Sequence, residues 1–164
     1  MLKKEIQNAL NKQIAMEEYA SRSYLALALW ADEANYEGAA AFLYKQTEEE
    51  RGHMMKFIKY VLEAGGSPKV SEYGEPLPEP KSFKELFEIG LKHEKAVTQS
   101  IHSIAEMAWK EKDMATFNFL QWFIAEQVEE EDAFQTILDK IGLIEKHGGS
   151  LYMLDRDLGK KAGK

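Results

Sequence analysis

The chain has 164 residues and a mass of 18.8 kDa, and its 28 Asp plus Glu outnumber its 21 Lys plus Arg, for a net charge of −7. With no cysteine, disulfides, Cys-ligated zinc, iron–sulfur clusters and a thiol nucleophile are excluded. The acidic balance argues against binding nucleic acid through bulk charge and points towards cations.

The opening stretch, MLKKEIQNALNKQ, has no apolar core of signal-peptide length, and no segment approaches 18 uncharged apolar residues. The expected protein is cytoplasmic, has no membrane partner, and forms one domain over 1–164. Long helical patterns fill most of it, and no sustained period-2 alternation signals a strand. The spacing predicts α1 over 4–35, α2 over 38–64, α3 over 83–111 and α4 over 114–140. A short α5 is expected over about 150–158, after Gly148-Gly149.

Punctuation sets the topology. Gly65-Gly66-Ser67 followed by Pro68, Pro76, Pro78 and Pro80 marks residues 65–81 as one non-helical connection. Ser82-Phe83-Lys84-Glu85 reads as a capping box opening α3, and Asp113 as the N-cap of α4. The α1–α2 and α3–α4 links are very short, so each pair should be antiparallel. Four helices of roughly 40–48 Å favour a bundle. The connection between α2 and α3 reaches roughly 55–60 Å when extended, enough to cross the bundle's full length. The expected fold is therefore all-α, a four-helix bundle with one long crossover and a short fifth helix.

Each long helix carries an apolar stripe in steps of three and four, and each stripe is broken by carboxylate near its middle. The breaks are Glu17 in α1, Glu50 and His53 in α2, Glu94 in α3, and Gln127 with Glu130 in α4. Mid-helix positions meet at mid-height, so four Glu, one Gln and one His should share one layer of the core. Unpaired, such a layer costs several kcal/mol per buried carboxylate. Either the carboxyls are protonated, as in a helical interaction protein without metal, or cations sit among them. Two divalent ions balance four carboxylates. Glu50 and His53 at i, i+3, with Glu from other helices, form the ligand pattern of di-iron carboxylate bundles. Oxygen ligands with one nitrogen suit iron or manganese, with zinc a competitor. Tyr24, two turns from Glu17, is placed to donate a hydrogen bond or an electron. A second acidic set, Glu49, Glu126 and Glu129, flanks the first, whereas Glu48 and Glu131 read as solvated. Gly52, mid-helix, hints at a close helix approach. His93, His102 and His147 read as surface or structural.

In this order and spacing, the segments EGAAAFL (37–43), EEERGH (48–53), TFNFLQWF (116–123), AEQVEEE (125–131) and LYMLDRDL (151–158) resemble the bacterial and archaeal non-haem ferritins over almost the whole chain. The resemblance implies an iron-storage protein that oxidises Fe2+ with O2 or peroxide and keeps ferric oxide-hydroxide inside a hollow homo-oligomer of 24 subunits. Carried over by position, Glu17, Glu50 and His53 would hold a first iron, with Glu50 bridging. Glu94 and Glu130, with Glu50, would hold a second. Glu49, Glu126, Glu129 and Glu130 match a third iron site. Tyr24 matches the tyrosine beside the centre, and Gln127 a hydrogen-bonding neighbour rather than a ligand. Bacterioferritins bind haem through a Met where this chain has Arg51, and carry a second Glu-x-x-His where it has Gln127-x-x-Glu130, so haem is not expected. A different di-iron bundle of the same fold, acting as a peroxidase or oxidase without a storage shell, is the alternative.

Overall fold

The computed structural model describes residues 2–163, so the first and last residues of the expected domain lie outside it. Five helices follow in order: α1 (Lys4–Glu33), α2 (Glu37–Glu63), α3 (Phe83–Lys110), α4 (Met114–His147) and α5 (Leu151–Lys161). Among the described residues there is no strand, and no helix is long and apolar enough to cross a membrane.

The predicted N-caps form, except that the reciprocal bond of the capping box reaches the Lys81 amide rather than that of Ser82. The Ser82 hydroxyl accepts from the Glu85 amide, and the Glu85 carboxylate accepts from the Lys81 amide at 2.7 Å. Asp113 accepts from the Thr116 amide at 3.0 Å. The two tight corners each place one residue in the left-handed region, Asn35 (φ 62°) and Lys112 (φ 54°). Two helices run past their expected ends. α4 continues seven residues beyond 140, because no proline intervenes and Ile141 stays buried on the stripe; it stops where Gly148 takes φ 76°. α5 extends to Lys161 with Leu154 and Leu158 buried.

Contacts at the helix ends fix the directions. The Leu2 amide donates to the Ala64 carbonyl, so the start of α1 lies at the end of α2. Lys3 pairs with Glu111, placing the end of α3 there too. Tyr60, near the end of α2, meets Thr116, near the start of α4, at 2.8 Å. The crossover must therefore return along the whole bundle, and it does so against α1. Asn11 donates to the Ser67 carbonyl and accepts from the Lys69 amide, and farther on the Leu77 amide donates to the Ser23 hydroxyl.

α5 packs chiefly on the start of α2. Its buried Asp155 accepts from the Gly38 and Ala39 amides at 3.0 and 2.8 Å, occupying the positive end of the α2 dipole. Gly38 is required for that approach, since a Cβ there would overlap the Asp155 main chain.

The apolar core is split in two. One cluster gathers Tyr24, Leu27, Leu43, Phe83, Phe87, Phe134 and Ile137. The other gathers Ile6, Leu10, Ile14, Phe57, Val61, Ile101, Leu120 and Phe123. In each long helix the polar stripe residues fall between the two clusters, so the predicted layer exists at mid-height. Gly52 is the exception among these expectations: it is exposed and a Cβ there would meet nothing, so no close helix approach explains it.

Candidate metal centre

The four Glu enter the layer from four helices because each lies on the buried stripe of its own. Glu17, Glu50, Glu94 and Glu130 are all buried, as are His53 and Gln127. Glu17, Glu50 and His53 each offer one ligand atom within 4.8 Å of the others, and all three are buried. His53 Nδ1 lies 3.2 Å from a Glu50 oxygen, as the i, i+3 spacing dictates.

Neutral donors position these carboxylates. Gln13 donates to Glu17 at 2.7 Å, and is itself held by the Ser100 hydroxyl. Gln46 donates to Glu130 at 2.6 Å. Tyr24 donates its hydroxyl hydrogen to Glu94, and Gln127 donates to the other Glu94 oxygen at 3.0 Å. Gln127 thus acts as a hydrogen-bonding neighbour. One oxygen of Glu17 and one of Glu50 are buried with no donor from any other residue, and the two carboxyls lie close enough to share a proton. Such groups are costly when left unmatched, and a cation is the partner that two facing carboxylates fit.

The electrostatics agree. Burial raises Glu17 well above the ordinary carboxyl range, and the Glu50 charge adds to it. Burial does the same to Glu50, with Glu94 adding. Burial pushes Glu94 up to about 7 against the hydrogen bonds from Tyr24 and Gln127. Glu130 is also pushed up to about 7, by burial first and then by Glu94. Tyr24 is raised well above its usual range by burial and then by Glu94, so its phenol keeps its proton to donate. A divalent ion would reverse the penalty by replacing protons with fixed positive charge.

The outer acidic set is looser. Glu49 is half-buried and paired with Lys45 at 3.3 Å. Glu126 is half-buried and Glu129 exposed. Among the described residues these do not form a compact group of ligand atoms like the inner three. Glu131 is half-buried rather than solvated, and accepts from the Thr98 hydroxyl at 2.6 Å. His93 is buried, with its ring edge against Tyr24; burial lowers it to about 4, and its Nε2 has no partner. His102 and His147 are exposed.

Sequence reasoning assigned no role to Gln13, Gln46, Thr98 or Ser100. The signal was present for Gln13, four residues before Glu17 and one turn away on the same face, but not for Gln46, whose partner Glu130 lies on α4.

Carboxylates from four helices, one His, and a shell of amide and hydroxyl donors define a four-helix bundle with a buried carboxylate layer, in which Glu17, Glu50 and His53 lie close enough together to hold a metal ion. Residues 7–144 match the family model described as a ferritin-like domain. A bacterial non-heme ferritin of Escherichia coli is 40% identical over 158 residues, covering 96% of each chain. One from Campylobacter jejuni is 42% identical over 156 residues, covering 95% of this chain and 93% of that one. The crystal structure of an open-pore ferritin from the hyperthermophilic archaeon Archaeoglobus fulgidus superposes with a TM-score of 0.93 at 40% identity, covering 97% of this chain and 98% of that one. The chain belongs to the ferritin family.

Proposed function

We propose that this protein stores iron and is a ferroxidase, with iron as substrate and then cargo. The observation that carries the reading is the buried layer itself: Glu17, Glu50 and His53 with convergent ligand atoms, two carboxylate oxygens there with no donor from any other residue, and Glu94 and Glu130 close enough to raise Glu50. Glu17, Glu50 and His53 hold one Fe2+; Glu50, Glu94 and Glu130 hold a second. The ions supply the redox chemistry, giving electrons to O2 or peroxide.

The chain's own part is positional and electrostatic. The carboxylates bring two cations together that would otherwise repel, and neutralise them. Gln13, Gln46 and Gln127 fix the carboxylate orientations, as outer partners do at metal sites. Tyr24 holds Glu94 through its hydroxyl. Glu49, Glu126 and Glu129, with Glu130, form a weaker outer site that takes iron onward. Storage requires a shell, and we propose a homo-oligomer of 24 subunits, located in the cytoplasm.

Aerobic addition of Fe2+ to the metal-free protein tests the activity: ferric absorbance should grow, and Glu50→Ala should abolish the fast phase. Size-exclusion chromatography tests the shell. A dimer that turns over iron would instead support a small di-iron oxidase.

A further inference from the structure

α3 and α4 share a hydrogen-bonded chain that starts in the carboxylate layer and ends outside it, at Glu131. Glu94 and Thr98 lie one turn apart on α3, and Gln127 and Glu131 one turn apart on α4. The Gln127 amide nitrogen donates to a Glu94 carboxylate oxygen at 3.0 Å and reaches the Thr98 hydroxyl at 3.2 Å. The Thr98 hydroxyl lies 2.6 Å from a Glu131 carboxylate oxygen and 3.0 Å from the Glu94 main-chain carbonyl. Thr98 and Glu131 are half-buried. Among the described residues Thr98 is the one hydrogen-bond partner of Glu131, and no cation pairs with that carboxylate.

The hydrogens give this chain a direction. A hydroxyl carries one hydrogen, and a carboxylate only accepts. Of the two acceptors facing Thr98, Glu131 is charged and nearer, and a charge-assisted bond outweighs a neutral one. With its hydrogen on Glu131, Thr98 offers Gln127 only lone pairs. The amide then finds two acceptors, Thr98 and Glu94, for its two hydrogens, and its nitrogen must face α3.

The opposite orientation is open to any side-chain amide. Nitrogen and oxygen are alike in size and trade places when the amide turns over. A hydroxyl free to rotate would accept from the nitrogen or donate to the oxygen, and so would allow either. Turned over, Gln127 would set its oxygen against the Glu94 oxygen. Like partial charges would then repel, and the donor that orients Glu94 would be lost.

We propose that Glu131 is a positioning residue for the second metal: by holding the Thr98 hydrogen, it keeps the Gln127 nitrogen on Glu94. The proposal rests on the two-iron reading above, in which Glu94 belongs to the second set of ligands. Glu131 acts there through Thr98 and Gln127, and every hydrogen stays on its own residue. Glu131 is also one of several acids near the layer, so its loss would weaken cation binding through charge alone. The two effects are separable. Charge acts on both irons and needs no hydroxyl. Positioning acts on the second iron, needs Thr98, and survives in a side chain that still offers an acceptor oxygen.

The test is anaerobic Fe2+ titration calorimetry of the assembled protein. Glu131→Ala should weaken the second iron by about five- to tenfold and the first by less than about twofold. Glu131→Gln lacks the charge but keeps an acceptor oxygen, and should stay within about twofold of the unaltered protein at both irons. Thr98→Val should match Glu131→Ala, and the double variant should be no weaker than either alone. Equal losses in Glu131→Ala and Glu131→Gln, additive losses in the double variant, or an unchanged second iron in Glu131→Ala would overturn the positioning role and leave the two-iron reading standing. The two Glu131 variants decide the matter if Thr98→Val does not assemble. Fewer than two Fe2+ bound by each unaltered chain overturns both.

Discussion

Gln127 of α4 donates to Glu94 of α3 at 3.0 Å, and the same amide nitrogen reaches the Thr98 hydroxyl at 3.2 Å. The side chain is buried, and its amide nitrogen holds Glu94. Gln127→Leu keeps the bulk and removes the donor. The expected outcome is a folded chain whose second metal binds about 10–100-fold more weakly, measured by anaerobic Fe2+ titration calorimetry. The first metal, at Glu17, Glu50 and His53, should bind with nearly unchanged affinity.

Glu50→Gln separates a metal site from a structural acidic cluster. Burial first, and then the Glu94 charge, raise Glu50, so a neutral amide there removes a desolvation and repulsion cost from the metal-free chain. Melting of that chain at pH 8 should rise rather than fall. Iron oxidation should fall by about 100-fold or more, since the bridging ligand is weakened. A variant that loses stability while keeping iron turnover would assign Glu50 to packing instead.

The pH dependence follows from the same burial. Glu94 and Glu130 are pushed up to about 7 in the folded, metal-free chain, from an ordinary value of 4.5. Between those values the folded state holds protons that the unfolded state has released. Stability is therefore greatest below about pH 4.5 for these groups, and falls as pH rises through about 7. The loss should amount to a few kcal/mol, the order that each raised group implies. Chelated protein should melt lower at pH 8 than at pH 5.5, and divalent metal should remove much of that difference. Metal binding near pH 6 should release more protons per chain than binding at pH 8.

Asp155 ties α5 to the bundle through two amide donors, Gly38 and Ala39. Asp155→Ala should cost about 1–3 kcal/mol, combining a lost helix cap with charge-assisted hydrogen bonds. Hydrogen exchange should quicken first in α5 (Leu151–Lys161), while the amides around Glu94 stay protected.

Much of this was legible in the sequence, for identifiable reasons. Helix spacing places Glu17, Glu50, Glu94 and Glu130 on buried stripes, and the two short corners force them to one depth. The capping residues Ser82 and Asp113 act as their local chemistry dictates. The end of α4 was not legible, because nothing before Gly148 stops a helix and only tertiary burial of Ile141 decides its length. The Tyr19–Tyr73 contact was hidden as well, since it depends on the path of a proline-rich crossover that no periodicity encodes. The Asp155 cap joins residues 116 and 117 positions apart, a distance over which local pattern carries no information.

The central claim is that two irons bind among the four buried Glu and His53. Crystals of the protein soaked anaerobically in Fe2+ and measured at the iron absorption edge test it directly. The predicted result is two anomalous peaks per subunit in the mid-height layer, one bounded by Glu17, Glu50 and His53 and the other by Glu50, Glu94 and Glu130. Iron found only at the outer Glu49, Glu126 and Glu129, with nothing inside that layer, would contradict the account.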